Sequence, residues 1–212
     1  MINSASYQGV DAAHALPRRG SALPAVLAAT GLSSVGDLLA LVALALHLHD
    51  TGRSPVAVSA LMLAGMLPLV LLGPVAGMAI DRFETTALLR VALAAQVLLA
   101  TALAFTNSLG ALLGLVFALG AGSAVTQSGL LALLPALAPG DRIVRVNGWF
   151  EACRSAGAAL GPPLGGLTAG FWGVRGALLA DAATFAVLCG ALWLVPVRHP
   201  ARHRAGPPGG GR

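Results

Sequence analysis

Residues 22–48 read ALPAVLAATGLSSVGDLLALVALALHL, an apolar run in which Asp37 is the single acidic residue. At about 1.5 Å of rise per residue, roughly 20 apolar residues cross the hydrocarbon core of a bilayer. The run is also longer than the apolar core of a signal peptide, which has about 7–15 residues. It therefore predicts a transmembrane helix, in a chain of 212 residues that is 57% hydrophobic and 10% charged.

Five further apolar runs follow, each bounded by Pro, Gly or a charged residue: residues 56–80, 87–105, 109–134, 148–171 and 177–197. Strands of a membrane barrel would alternate polar and apolar residues over about ten positions, whereas these runs are apolar on all sides. We therefore expect an all-α membrane protein with a six-helix transmembrane bundle in residues 22–197. Residues 1–21 are expected to be a cytoplasmic segment, and the Pro/Gly/Arg-rich residues 198–212 a disordered cytoplasmic tail.

The arginine distribution predicts the orientation. All 13 basic residues are Arg, and eleven of them fall on one side of the six-span arrangement, with Arg53 and Arg175 on the other. Because basic loops stay on the cytoplasmic side during insertion, both termini of this multi-pass cell-membrane protein are expected to be cytoplasmic. The arginines are scattered rather than clustered, so nucleic acid is not an expected partner. Membrane lipid is the expected partner of the apolar spans.

Two segments have the composition of close helix contacts. Residues 73–82, GPVAGMAIDR, form a small-residue helix end that runs into an acid–base pair, which is either a latch at the membrane face or a solvated helix terminus. Residues 148–166, GWFEACRSAGAALGPPLGG, contain five Gly and two adjacent Pro. Gly157 and Gly161 predict a small-xxx-small contact face, and the prolines predict a kink; simple helix packing is the alternative to a functional motif.

Together these segments resemble the major facilitator superfamily. The first is similar to its loop motif between spans two and three, at Gly77, Asp81 and Arg82, with Arg90 as the next positive charge. The second is similar to its fifth-span antiporter motif, G-x8-G-x3-G-P-x2-G-G, at Gly148, Gly157, Gly161, Pro162, Gly165 and Gly166. Residues 139–148, PGDRIVRVNG, and 181–185, DAATF, resemble the macrolide and enterobactin exporter branch. The resemblance covers residues 22–197 and implies the amino-terminal six-span half of a twelve-span fold.

The chain departs from the family pattern at three points. Glu84, Thr85 and Thr86 replace the Gly and basic residues that usually continue the loop motif, which implies a weak cytoplasmic latch. Residues 109–134 contain no charge, so the membrane arginine that the fourth span of the family usually carries is missing. The second six-span half is also missing, and substrate sites in this fold lie between the halves. A second half, a second copy or a partner chain would therefore be needed for a full path.

Polar residues in two spans suggest a site. A carboxylate near mid-membrane, as predicted for Asp37, costs about 2.5–3.5 kcal/mol on insertion scales. The resemblance implies that the first and fourth spans line a central cavity, so their polar stripes are expected to form one wall of a substrate path, with Asp37 as a proton or cation site. A protonated Asp37 hydrogen-bonded inside the bundle is the alternative. The stripe residues are Thr30, Ser33, Ser34 and Asp37 on the first span, and Ser123, Thr126 and Gln127 on the fourth.

Three other charged positions are expected to be structural. Glu151 and Arg154 are three residues apart on one helical face, as a neutralising ion pair would be. Asp181 lies one or two turns inside the sixth span and is expected to reach the outer interface.

The resemblance implies a secondary transporter that exports small amphipathic or drug-like compounds in exchange for protons. If two copies complete the path, Gly157→Leu and Gly161→Leu should abolish association and transport. The alternative is a non-transporting assembly or regulatory membrane protein derived from a truncated transporter.

An enzyme is not expected. An intramembrane serine protease needs a His base within reach of its nucleophile, and the His residues, at 14, 47, 49, 199 and 203, lie in loops or at span ends. His47, His49 and Asp50 are interpreted as solvated surface rather than a metal site, so no metal is expected. No G-x4-G-K-[ST] motif is present, so neither ATP nor another cofactor is expected.

Overall fold

The computed structural model describes residues 19–137 and 142–193, which form five helical elements. These are α1 (Arg19–Asp50), α2 (Pro55–Arg82), α3 (Thr85–Ala104), α4 (Leu109–Leu137) and α5 (Ile143–Trp193). Each is long and apolar enough to cross a membrane. The prediction of an all-α architecture built from long apolar helices is confirmed for these residues.

The number of separate helices differs from the prediction. Residues 22–48, 56–80, 87–105 and 109–134 correspond to α1 to α4, whereas residues 148–171 and 177–197 both correspond to the 51-residue α5. Two helical segments, residues 143–172 and 174–193, are joined there at Gly173, whose φ of 69° and ψ of 174° are not helical. The predicted cytoplasmic segment before residue 19, the end of the last run and the predicted tail lie outside the described residues.

The link between α1 and α2 shows why these helices end where they do. Gly52 adopts a φ of 70°, a left-handed conformation that glycine tolerates without a Cβ clash. The backbone N–H of Arg53 then donates to the carbonyl of Leu48 at 3.0 Å, which satisfies a terminal carbonyl of α1. Pro55 occupies the first turn of α2, where its missing N–H costs no helical hydrogen bond.

The two segments of α5 run in opposite directions along α1. In the first segment, Gly157, Gly161 and Gly165 contact progressively later residues of α1, from Gly31 to Leu39. In the second segment the order is reversed. There, Asp181 and Thr184 lie against Gly36, whereas the earlier residues Ala177 and Leu178 pack with Ala43 and Leu44. The chain therefore turns back at Gly173.

The distribution of apolar side chains fits a lipid environment. Interior clusters join the helices around residues such as Leu89, Leu93 and Phe185. The outside is also apolar: on α2, Leu63, Met66 and Val70 are 59%, 65% and 73% exposed. A contiguous apolar face of this kind is unfavourable in water but matches the hydrocarbon of a bilayer.

Candidate functional site

A small polar cavity lies among α1, α3, α4 and both segments of α5. Its volume is about 30 Å³, room for about one or two water molecules. The structure brings together at this cavity all seven residues that the sequence predicted for a substrate path. The lining consists of those seven, Thr30, Ser33, Ser34, Asp37, Ser123, Thr126 and Gln127, and of Gln96, Leu130, Phe150, Arg154, Phe185 and Leu188.

The α1 side of the cavity is a stripe at helical spacing. Thr30 and Ser33 are buried, and Ser34 and Asp37 are half-buried. The Thr30 hydroxyl donates to the carbonyl of Val26 at 2.8 Å, so its proton is used within the helix. Among the α1 residues that line the cavity, Asp37 is the one with an ionisable side chain.

Gln96 on α3 is a cavity residue that the sequence analysis missed. Its side chain is 1% exposed and bridges to α4. Its Nε2 donates to Ser123 Oγ at 3.1 Å, and Thr126 Oγ1 donates to its Oε1 at 2.8 Å. A Cβ on Gly122 would lie 2.7 Å from Gln96 Cγ, so glycine leaves the space that the amide fills. The sequence feature that could have predicted this role is a lone amide in an apolar span, because a buried amide requires hydrogen-bond partners.

Glu151 and Arg154 form the ion pair that their spacing suggests. Arg154 Nη2 and Nε donate to the two carboxylate oxygens of Glu151 at 2.8 and 3.0 Å, and Ser155 Oγ lies 3.3 Å from Oε1. The pair is partly exposed, with Arg154 and Glu151 side chains 39% and 56% accessible. Arg154 also lines the cavity, which the sequence analysis did not predict.

Three glycines of the fifth-span motif pack on the backbone of α1. A Cβ on Gly157 would collide with the Gly31 carbonyl oxygen and lie 2.9 Å from Ser34 Cβ. A Cβ on Gly161 would lie 2.7 Å from Leu38 Cβ, and one on Gly165 would lie 2.7 Å from the carbonyl oxygen of Leu39. These glycines allow the two helices to approach closely.

This packing corrects one expectation. Gly157 and Gly161 face α1 of the same chain, so Leu substitutions there would disrupt the bundle itself and would not test association with a second copy. The other glycines of the motif have different surroundings: no atom lies within 4 Å of a Cβ built on Gly148 or Gly166, among the residues described. Pro162 is half-buried beside them.

The residues of the predicted loop motif do not cluster. Asp81 and Arg82 are exposed at the end of α2, and a Cβ on Gly77 would meet no described atom within 4 Å. Arg90 instead donates from Nη2 to the Leu192 carbonyl at 2.9 Å, and its guanidinium lies 4.5 Å from the ring centroid of Trp193. A cation at the carboxyl end of a helix stabilises the terminal carbonyls, so Arg90 ties α3 to the end of α5.

Asp181 differs from expectation. It is 2% exposed and lies between α5 and α1, not at an outer interface. Its Oδ1 would be 2.5 Å from a Cβ on Gly36, the residue of α1 that precedes Asp37. No sequence pattern indicated this juxtaposition, because it depends on the reversal of α5 against α1.

A second cavity of about 110 Å³ lies at the end of α1 and is lined in part by His47, Thr106, Asn107 and Arg175. His47 and His49 are exposed. Within the described residues, no group of three or more His, Cys, Asp or Glu side chains is arranged to hold a metal ion.

Comparison with known proteins identifies one family. The sequence model of the Major Facilitator Superfamily matches residues 26–211. An uncharacterized MFS-type transporter of Bacillus subtilis (strain 168), YfiS, is 26% identical over 180 residues, which are 84% of this chain and 43% of that protein. The chain therefore spans less than half the length of this relative.

Proposed function

The chain belongs to the major facilitator superfamily and is a multi-pass membrane protein, and we propose on this premise that it forms the amino-terminal half of a secondary transporter. The proposed activity is export of small amphipathic or drug-like compounds in exchange for protons. The exporter branch is proposed from the residues around Gly148 and Asp181 quoted above.

The observation that carries this proposal is the polar cavity inside an apolar bundle. Polar side chains in a membrane interior are costly and mark substrate or ion pathways. This cavity, about 30 Å³, is far smaller than the roughly 300–1,000 Å³ of a drug-sized site. In transporters of this architecture, substrates bind at the interface of two repeats, so we assign the cavity to one wall of such a site.

Six crossings are part of the proposal, with the two segments of α5 crossing separately. A 51-residue helix would be about 76 Å long, more than twice the roughly 30 Å hydrocarbon core. Exposed tryptophans favour two crossings: Trp149 and Trp172 are about 34 Å apart along the helix, and Trp193 follows about 31 Å later. Tryptophan concentrates at membrane interfaces, so this spacing matches one interface at Trp172 and the other at Trp149 and Trp193.

The orientation is proposed from the arginines, which put both termini in the cytoplasm of a cell whose plasma or inner membrane holds the protein. Asp37 is the proposed coupling residue, because it is the acidic side chain that lines the cavity. A non-transporting assembly role is not favoured, since it gives no reason for a membrane-embedded carboxyl at a polar cavity.

Export from cells tests this proposal. Cells that express the whole native reading frame containing this chain are loaded with fluorescent amphipathic probes, one cationic, one neutral and one anionic, and the loss of fluorescence is timed. We expect at least one probe to leave faster than from cells without the chain. Asp37→Asn should return that rate to background, whereas Asp50→Asn, at an exposed helix end, should not.

Two results would count against the proposal in different ways. If no probe leaves faster, the protein does not export such compounds and the proposed activity is wrong. If export persists at the full rate in Asp37→Asn, export stands but Asp37 does not couple it to protons.

A further inference from the structure

One carboxyl oxygen in the bundle interior lacks a donor. Asp181 Oδ1 is fully buried, and no described residue donates a hydrogen bond to it. The neighbouring Thr184 hydroxyl donates to the Asp181 backbone carbonyl at 2.7 Å. The Thr184 hydroxyl is thus used within the helix, and Oδ1 is left without a described donor.

Gly36 holds this oxygen close to α1. A Cβ at Gly36 would collide with Thr184 Oγ1 and lie 2.5 Å from Asp181 Oδ1. The absence of a side chain thus lets the Asp181 carboxyl rest against the α1 backbone, one residue before Asp37. Because Gly36 and Asp37 are consecutive in α1, the Asp181 carboxyl lies beside the turn of α1 that carries Asp37, and Asp37 lines the cavity.

No unpaired cation faces the two acids from the described helices. Arg154 lines the cavity with Asp37, but Glu151 holds its guanidinium through two hydrogen bonds. The polar groups that α3 and α4 direct at the cavity are uncharged: Gln96, Ser123, Thr126 and Gln127. Two neighbouring carboxylates without a counter-ion would repel each other at low dielectric, so the site favours one added positive charge.

We propose that Asp37 and Asp181 form a carboxyl pair that shares one proton, with Asp37 exchanging it with the cavity and Asp181 holding it in the bundle interior. The proposal deepens the proton-coupled export proposed above and rests on it for its role in transport. When the pair is loaded, one carboxyl is neutral and donates its O–H, and the other is ionised. When the pair is unloaded, the proton passes to water at the Asp37 side and both are carboxylates.

The two acids have different positions and therefore different roles. Asp37 is half-buried on the cavity wall, where a proton can arrive or leave through water. Asp181 is 2% exposed and lies where helices α1 and α5 meet.

Infrared absorption counts protonated carboxyls without any transported compound. The chain has eight Asp and Glu side chains, and such groups are ionised in water at neutral pH. The C=O stretch of a protonated carboxyl is separate from the carboxylate bands and can be calibrated with a carboxylic acid of known concentration. The unaltered full chain is compared in lipid nanodiscs at neutral pH with the Asp37→Asn/Asp181→Asn double variant.

We expect the double variant to lose one protonated carboxyl per chain, whereas Asp50→Asn loses none. A loss of two would mean that both acids are permanently neutral, and a loss of zero would mean that the pair holds no proton; either result overturns the proposal. The samples contain choline in place of sodium, so sodium cannot occupy the site instead of a proton. Glu84 Oε1, at the start of α3, is the other buried carboxyl oxygen without a partner among the described residues. If the double variant fails to fold, Glu84→Gln removes that carboxyl, and one protonated carboxyl per chain is expected to remain.

The readout is independent of the proposed function. A count of one without export would leave the carboxyl pair intact and reject its coupling role. Export with a count of zero or two would reject the shared proton and leave the transporter standing.

Discussion

Substituting Gly157 by alanine tests the packing of α5 on α1. The added Cβ would collide with the Gly31 carbonyl oxygen and would lie 2.9 Å from Ser34 Cβ and 3.1 Å from the Val35 nitrogen. Optimal contacts between carbon atoms are at about 3.5–4.0 Å, so the helices must separate by several tenths of an ångström or more. Two of these three neighbours are backbone atoms, which cannot rotate away.

The magnitude follows from two opposing effects. Overpacking costs about 1–3 kcal/mol. Alanine gains up to about 1 kcal/mol over glycine in a helix. Gly166→Ala is the matched control, since a Cβ there meets no described atom within 4 Å and keeps the gain without the clash. We therefore expect Gly157→Ala to be less stable than Gly166→Ala by about 1–3 kcal/mol.

The free energy of unfolding is measured for both variants in mixed micelles of mild detergent and dodecyl sulfate. Unfolding is followed by circular dichroism. Equal stability of the two variants, within about 0.5 kcal/mol, would refute the reasoning that Gly157 holds α5 against α1.

Three further substitutions can be tested, the first two in the same unfolding assay and the third by amide hydrogen exchange. Gln96→Leu should cost about 1–3 kcal/mol, because it removes the partner of the buried Thr126 hydroxyl; an unchanged stability would contradict the bridge. Gly173→Ala should cost about 1–3 kcal/mol more than Gly170→Ala, since the φ of 69° and ψ of 174° suit glycine; equal effects would mean that the break adopts another conformation. Arg90→Leu should speed amide hydrogen exchange at the end of α5, and unchanged exchange would argue against the contact with the Leu192 carbonyl.

The spans and the polar stripes could be predicted from the sequence because they depend on local periodicity. Asp37 and Ser33 fall on one face of a helix wherever that helix packs, and a long apolar run indicates a membrane crossing in any arrangement. The seven stripe residues meet at one cavity because each predicted face turns toward the interior, away from lipid.

The remaining features depend on contacts between distant parts of the chain. The hydrogen-bond partners of Gln96 are Ser123 and Thr126, which lie 27 and 30 residues later in the chain, so no local pattern reveals them. The burial of Asp181 depends on the reversal of α5 and on the missing side chain of Gly36. Likewise, the composition of the fifth span indicated a contact face, but the identity of the partner, α1 of the same chain, comes from the packing.

Water access to the polar cavity decides whether it belongs to a substrate path. Ser123→Cys, on the cavity wall, and Leu98→Cys, 71% exposed on the outside of α3, are compared in a background with Cys153 and Cys189 replaced by alanine. Their rates of reaction with a charged thiol reagent are measured in membranes. We expect position 123 to react faster, because it faces a polar path and position 98 faces lipid. Faster reaction at position 98 would contradict it.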